Sequence, residues 1–456
     1  MVSAAHATAT DTALARSIER YNALCLDAKV VTPSLVAEFA DSMRAAGLTF
    51  GGKLQCRSLR PAFITKERLA VLRDATHALV AALAVVERKA LADTSFARSL
   101  GLSEAEIELA AVDPGYSGST AVSRLDMYFD GAPIAIEYNA DSPAGMAYEA
   151  GQARIALELP PMQRFAAEQP IDHLPVDIAL RESLLSVWRE FRERRAPGAP
   201  LSPTIAIVDM PDAPTTAEFH LVARDLTDHG IAAIVASPDD LRYDGAALFI
   251  GDTRVHMVYR RLLVSDFLAR YGLDHPLAAA YRHGGTCVAS SFRCKIAHKK
   301  LALSAVVDPS NPVGLGDEQR KALYQLIPPM MRLDEGSKAG ALMAQQLCVL
   351  KPNDNYGGRG VVVGWECTAD EWRGALDAAL EGDYVVQTRA PERYELFPIF
   401  DPDAPEDGVH LERLLVDCNP FVFRGGELGG LLTRLSPTAI VNVARGGQAV
   451  PTFVVG

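Results

Sequence analysis

Three oxygen-bearing side chains fall on two short apolar runs that one turn can fold together. In Ile134-Ala135-Ile136-Glu137-Tyr138-Asn139 the period of two of an extended strand puts Glu137 and Asn139 on one face. Asp126 lies in a second strand-like run, Ser123-Arg124-Leu125-Asp126-Met127-Tyr128-Phe129, and Asp130-Gly131 between the runs reads as a hairpin turn. Hard oxygen donors of this kind suit magnesium, which takes one or two carboxylates, keeps waters and completes its shell with phosphate oxygens. Arg124 shares the face of Asp126, where a fixed cation would meet a developing negative charge. An edge hairpin with a solvated polar face fits the same pattern, so these runs alone leave both readings open.

A second group lies near the other end of the chain. The run Leu347-Cys348-Val349-Leu350 reads as a strand that delivers Lys351 to Pro352-Asn353-Asp354-Asn355-Tyr356-Gly357-Gly358-Arg359-Gly360, and Val361-Val362-Val363 follows as a second strand. Gly357, Gly358 and Gly360 would let backbone N–H groups approach phosphate oxygens, with Lys351 and Tyr356 beside them. Strand, glycine-rich loop, strand is a hairpin flap, and no G-x-x-x-x-G-K-[ST] occurs.

Together the two groups resemble the circularly permuted ATP-grasp ligases, most closely the synthetase part of glutathionylspermidine synthase. The likeness rests on Arg124-x-Asp126, Glu137-Tyr138-Asn139-Ala140-Asp141-Ser142-Pro143, the pair Lys299-Lys300 before Leu301-Ala302-Leu303, Lys351-Pro352 and the glycine loop, in the family's order over most of the chain. It implies an α/β (α+β) fold with permuted ATP-grasp lobes and a Rossmann-like pre-ATP-grasp domain. It implies Asp126, Glu137 and Asn139 as Mg2+ ligands, Arg124 as stabiliser of the transferring phosphoryl group, and Lys300 and Lys351 as phosphate contacts. By position, Gln387 in Tyr384-Val385-Val386-Gln387-Thr388 falls where the adenine base is met, and Arg434 falls where an arginine returns to the phosphates. The implied activity is an ATP-dependent carboxylate-amine ligase working through an acyl phosphate; a silent ATP-binding scaffold and a small-molecule kinase on the same fold are the alternatives.

The chain also departs from that family. Asn353-Asp354-Asn355-Tyr356 lengthens the flap, which alters its expected reach. Lys299 and Lys300, adjacent on an expected helix, are about 100° apart, so one is expected at the nucleotide and the other in solvent. Leu414-Leu415-Val416-Asp417-Cys418-Asn419-Pro420 carries the acid-x-Asn spacing of unpermuted relatives; Asp417 and Asn419 are a rival metal pair, set second because Asp126 and Arg124 lengthen the upstream match.

The elements that must position these residues follow from periodicity. Residues 1–110 read as a helical N-terminal region, and the resemblance implies 111–195 as the metal-binding part and 286–456 as the nucleotide lobes with the flap. The proline-rich stretch 195–203 marks a boundary before a 196–285 unit in which Thr204–Val208, a helix Thr215–His229 and Ala232–Ala236 imply a parallel sheet. Arg260 and Arg261 end a later strand there, on opposite faces, and one of them is expected to touch substrate.

With 456 residues, 49% of them hydrophobic, the chain can bury large cores. A net charge of −12 argues against a nucleic-acid partner. Seven cysteines without Cys-x-x-Cys argue against a disulfide framework or zinc site. Neither a signal peptide nor an apolar run of membrane length is read, so a cytoplasmic protein with no membrane partner is expected, and a homodimer is compatible. No nucleophile motif competes.

Overall fold

A computed structural model describes residues 4–308, 310, 313–441, 443 and 446–456. It is a mixed α/β structure whose largest sheet, nine strands among the described residues, draws on both ends of the chain. Its main path runs Arg393–Phe400, Val409–Val416, Glu427–Ser436, Asn419–Phe423, Val122–Asp130, Ala132–Asn139. The strand Gln448–Val455 joins Glu427–Ser436 and pairs in parallel with Ala62–Thr65, inside the region read as helical. The two runs of the first paragraph therefore lie beside Asn419–Phe423, with Phe421 opposite Arg124.

The expected hairpin at Asp130-Gly131 is present, with Asp130 opposite Ala132 and Gly131 at φ 72°, a conformation that glycine adopts without strain. Against this hairpin packs the helix Lys66–Ala92, begun by Thr65, whose Oγ1 accepts from Arg68 N at 3.3 Å. Leu72, Leu79, Leu83 and Val86 share a core with Leu125, Met127 and Tyr138 of the hairpin. By length and composition this helix could cross a membrane, contrary to the sequence expectation; half of its most apolar window is buried inside the protein.

The parallel sheet expected after residue 203 is present, in the order Cys287–Ala289, Met257–Arg260, Ile205–Val208, Ala233–Ala236, its first-named strand lying past the expected boundary at 285; the helix Thr216–Asp228 lies between the last two in sequence. The glycine loop also lies between paired strands: Cys348–Pro352 and Val362–Val363 are antiparallel, and Tyr384–Thr388 flanks the first on its other side. Trp372 and Leu376 of the helix Ala369–Ala379 cover Leu350 and Val386 of that sheet.

Candidate active site

The hairpin places Asp126 directly opposite Glu137 and Arg124 opposite Asn139. One residue further the register slips, and the resulting bulge leaves Ile136 without a partner. Its carbonyl accepts instead from Gln387 Nε2 at 3.2 Å and Lys351 Nζ at 3.5 Å, so the irregularity joins the hairpin to the glycine-loop sheet. Between the two sheets lies a cleft of ≈590 Å³ lined by Arg124, Asp126, Glu137, Asn139, Lys300, Lys351, Gln387 and Arg434 and, from the loop, Tyr356, Gly357 and Gly358.

Most of the charge on these side chains is paired, with Lys351 held instead by an amide oxygen. Arg124 Nε lies 2.7 Å from Asp126 Oδ1, and its Nη1 donates to Ala144 O at 2.7 Å. Arg434 Nη2 reaches Asp126 Oδ2 at 2.8 Å and Asp417 Oδ2 at 2.6 Å. Burial alone would raise the Asp126 carboxyl, but Arg124 and Arg434 outweigh it and hold it well below the usual carboxylate range. Glu137, 2.8 Å from Lys300 Nζ, is likewise lowered, burial being overcome by Lys300 and Lys351. The Lys351 ammonium goes the other way: burial pulls it down to about 8, with Glu137 opposing. Gln387 turns its Oε1 to Lys351 Nζ at 2.6 Å and is 2% exposed, so in this conformation it orients a lysine.

The lysine pair departs from expectation. Lys299 is extended at ψ 131° and breaks the chain into two helices, Lys295–His298 and Lys300–Val307, so the two side chains diverge without either reaching solvent. Lys300 faces the cleft; Lys299 is buried against Glu106 Oε2 at 3.1 Å and Asp354 Oδ2 at 2.6 Å. The residues that lengthen the loop thus hold its root: Asp354 also meets Lys295 Nζ at 2.5 Å, and Asn353 accepts from the N–H groups of Lys300 and Leu301 at 3.1 and 3.0 Å. Tyr356 Oη reaches across to Asp266 Oδ2 at 3.3 Å.

Two further expectations are narrowed. Gly360 does not line the cleft; a Cβ there would stand 2.8 Å from Pro352 Cγ, so its small size serves the close packing of the loop on its own strand. Arg260 is fully buried, with Nη1 2.5 Å from Asp141 Oδ1 and Nε donating to Ser290 O at 3.1 Å, and does not reach the cleft. Arg261 does line it, 3.8 Å from Glu218 and donating to Pro143 O at 2.6 Å.

The rival metal pair stays in contact, but only one member lines the cleft. Asp417 lines the same cleft and shares Arg434 with Asp126, whereas Asn419 is fully buried, donating to Asp417 Oδ1 at 2.6 Å and accepting from Met127 N at 3.0 Å. Among the described residues no three His, Cys, Asp or Glu side chains are grouped to hold a metal. Asp126, Glu137 and Asn139 still fit magnesium, because two facing carboxylates and an amide leave the remaining positions to water and phosphate. The buried Asn139 Nδ2 has no hydrogen-bond partner among the described residues, and its Oδ1 is the atom that would ligate the metal. Residue patterns missed His298 and read Asp354 only as part of a lengthened flap, since nothing local marks a histidine whose partner lies 56 positions along the chain.

No protein-family model matches the chain, and neither does any curated protein. Solved structures do. A glutathione synthetase like-effector from Globodera pallida, in apoform, superposes with a TM-score of 0.57 at 13% identity, over 93% of this chain and 97% of that one. A chain from Methylobacillus flagellatus KT, assigned by name alone as a γ-glutamylcysteine synthetase, gives 0.43 at 9% identity over 86% and 89%. These neighbours bear synthetase names other than glutathionylspermidine synthase, and the first shows that this chain has the fold of that effector.

Proposed function

We propose that the protein is an ATP-dependent carboxylate-amine ligase that joins its substrates through an acyl phosphate. The observation that carries this reading is the facing pair Asp126 and Glu137, set among Arg124, Arg434, Lys300 and Lys351 beneath a glycine hairpin, all on one cleft. Four cations against the three carboxylates Asp126, Glu137 and Asp417 leave that end suited to a polyphosphate. No nucleophile is needed, because such chemistry is positioning and charge neutralisation.

In this reading Lys300 and Lys351 hold phosphate oxygens, and the N–H groups at Gly357 and Gly358 close over them. Arg124, fixed by Asp126 and the Ala144 carbonyl, stabilises the group in transfer and then the tetrahedral centre. Asp126, Glu137 and Asn139 would hold magnesium, which when bound neutralises charge on the phosphates. The carboxyl ends of the parallel strands, where ligands collect in open sheets, offer Arg261 and Asp209 to the substrates. In this reading the chain divides as 1–110, 111–195, 196–285 and 286–456, with the strand Cys287–Ala289 of the parallel sheet carried past the third boundary.

The test is phosphate release from magnesium-ATP over peptides and amino acids crossed with amines. Release needing both an acid and an amine, and lowered about 10²-fold or more in Glu137→Ala, is expected. Undiminished release in that variant would overturn the assignment.

Lys351 adds a pH signature. Phosphate favours its protonated form, so ATP affinity falls as pH rises through about 8. The free protein behaves oppositely: between about 8 and the ordinary lysine range the unfolded chain keeps a proton that the folded one has lost, so this group's contribution to stability rises with pH. Calorimetric ATP titration from about pH 6.5 to 9.5 checks the first statement, with Lys351→Arg expected to flatten the profile.

A further inference from the structure

We propose that His298 is a catalytic residue of this reaction, the group that takes the proton from the attacking amine; the inference rests on the ligase reading above. His298 ends the helix Lys295–His298, is 3% exposed and lines the cleft beside Lys300. Its Nε2 faces Asp354 Oδ1 at 3.8 Å, while its Nδ1 is buried without any hydrogen-bond partner among the described residues. Asp354 is fixed in turn by Lys295 and Lys299. A carboxylate on the Nε2 side favours the tautomer with its hydrogen there, which leaves the lone pair on Nδ1.

The surroundings keep that lone pair available. Burial, then Lys295, drive the imidazole down to about 4 against Asp141 and Asp354, with Lys300 adding to the fall. These groups come from every side: Lys295 from its own helix, Lys300 from the next, Asp141 from the loop after the hairpin and Asp354 from the glycine loop. The imidazole is therefore neutral at physiological pH, and phosphates arriving at Lys300 would add negative charge beside it and raise its basicity. The neighbouring carboxylates Asp126, Asp141, Glu137 and Asp354 are each engaged by a cation, whereas His298 Nδ1 has no hydrogen-bond partner among the described residues.

The step balances as follows. The amine nitrogen bonds to the acyl carbon, the carbon–oxygen bond to phosphate breaks, and phosphate leaves with the electron pair. The proton lost by nitrogen goes to Nδ1 and from there to solvent.

The experiment uses the acid and the primary alkylamine that give the largest phosphate release, with hydroxylamine as a second acceptor. His298→Gln keeps size and polarity but not basicity. It is expected to lower amide formation about 10²-fold with the alkylamine and less than about tenfold with hydroxylamine, whose adduct sheds its proton to water more readily. Equal losses with both acceptors would overturn the proposal, as would full amide formation in the variant. So would the same split in Asp209→Asn, the cleft carboxyl that burial pushes up to about 6. Thermal unfolding of each variant separates a folding defect, which His298→Asn would then share. If wild type forms neither amide nor hydroxamate from any acid, the ligase reading itself fails.

Discussion

Replacing Arg434 by Met is expected to destabilise the protein by about 3–5 kcal/mol, the cost of stranding buried charge. Arg434 stands between two carboxylates, Asp126 on the strand Val122–Asp130 and Asp417 in the turn after Val409–Val416, and also donates its backbone N–H to Asp417 Oδ1 at 2.7 Å. Removing the guanidinium leaves Asp126 with Arg124 alone and Asp417 with only Asn419 and that N–H. The sign of the pH dependence follows. Asp126 is depressed in the folded state, so it contributes stability above the ordinary carboxylate range and loses it as pH falls through its folded value. Asp417 is already raised by burial despite Arg434, and without Arg434 it rises further. The gap between wild type and Arg434→Met is thus widest near neutrality and closes below about pH 4. Urea unfolding at several pH values measures it, and Asp417→Asn in the Arg434→Met background is expected to recover part of the loss. A pH-independent gap, or one under about 1 kcal/mol, would show that the cluster is not held by charge.

What could be read from residues alone is what depends on near neighbours. Period-two alternation across Asp130-Gly131 was enough to set Asp126 and Glu137 on one face, because a hairpin needs only a turn and a register. The strand, helix, strand order after residue 203 carried the parallel sheet for the same reason. Contacts between distant positions were not legible. Nothing near Ala62–Thr65 announces that it pairs with Gln448–Val455, and a helical reading of the N-terminal region hid it. Lys299 shows the same limit in one residue: an exposed lysine is the usual outcome, and only Glu106 and Asp354, 193 and 55 positions away, explain its burial. Asp417 and Asp126 looked like rivals in sequence because each had a complete local pattern; in space one arginine holds both.

Asp141→Ala is expected to be more damaging than Arg260→Met, although the two residues form one ion pair. Both are fully buried, and the pair links the loop after the Asp126–Glu137 hairpin to the parallel-sheet unit. Asp141 does more than neutralise Arg260: its Oδ2 accepts from Val264 N at 3.0 Å and faces Lys295 Nζ at 3.4 Å. Without it, Arg260 keeps only carbonyl oxygens and the Cys294 sulfur, Lys295 keeps only Asp354 as a charged partner, and the Val264 N–H loses its acceptor. Loss of Arg260 instead leaves Asp141 with Lys295 and the Val264 N–H, and Met refills much of the volume. A cost of about 3–5 kcal/mol is therefore expected for Asp141→Ala and a smaller one for Arg260→Met. In the double variant the two losses add to less than their sum, since the second change removes a cation that the first has already stranded. Urea unfolding of the three variants gives the cycle. Strict additivity would mean that Arg260 draws its stability from the Ser290 and Leu262 carbonyls, and the loop could then move independently of the parallel-sheet unit.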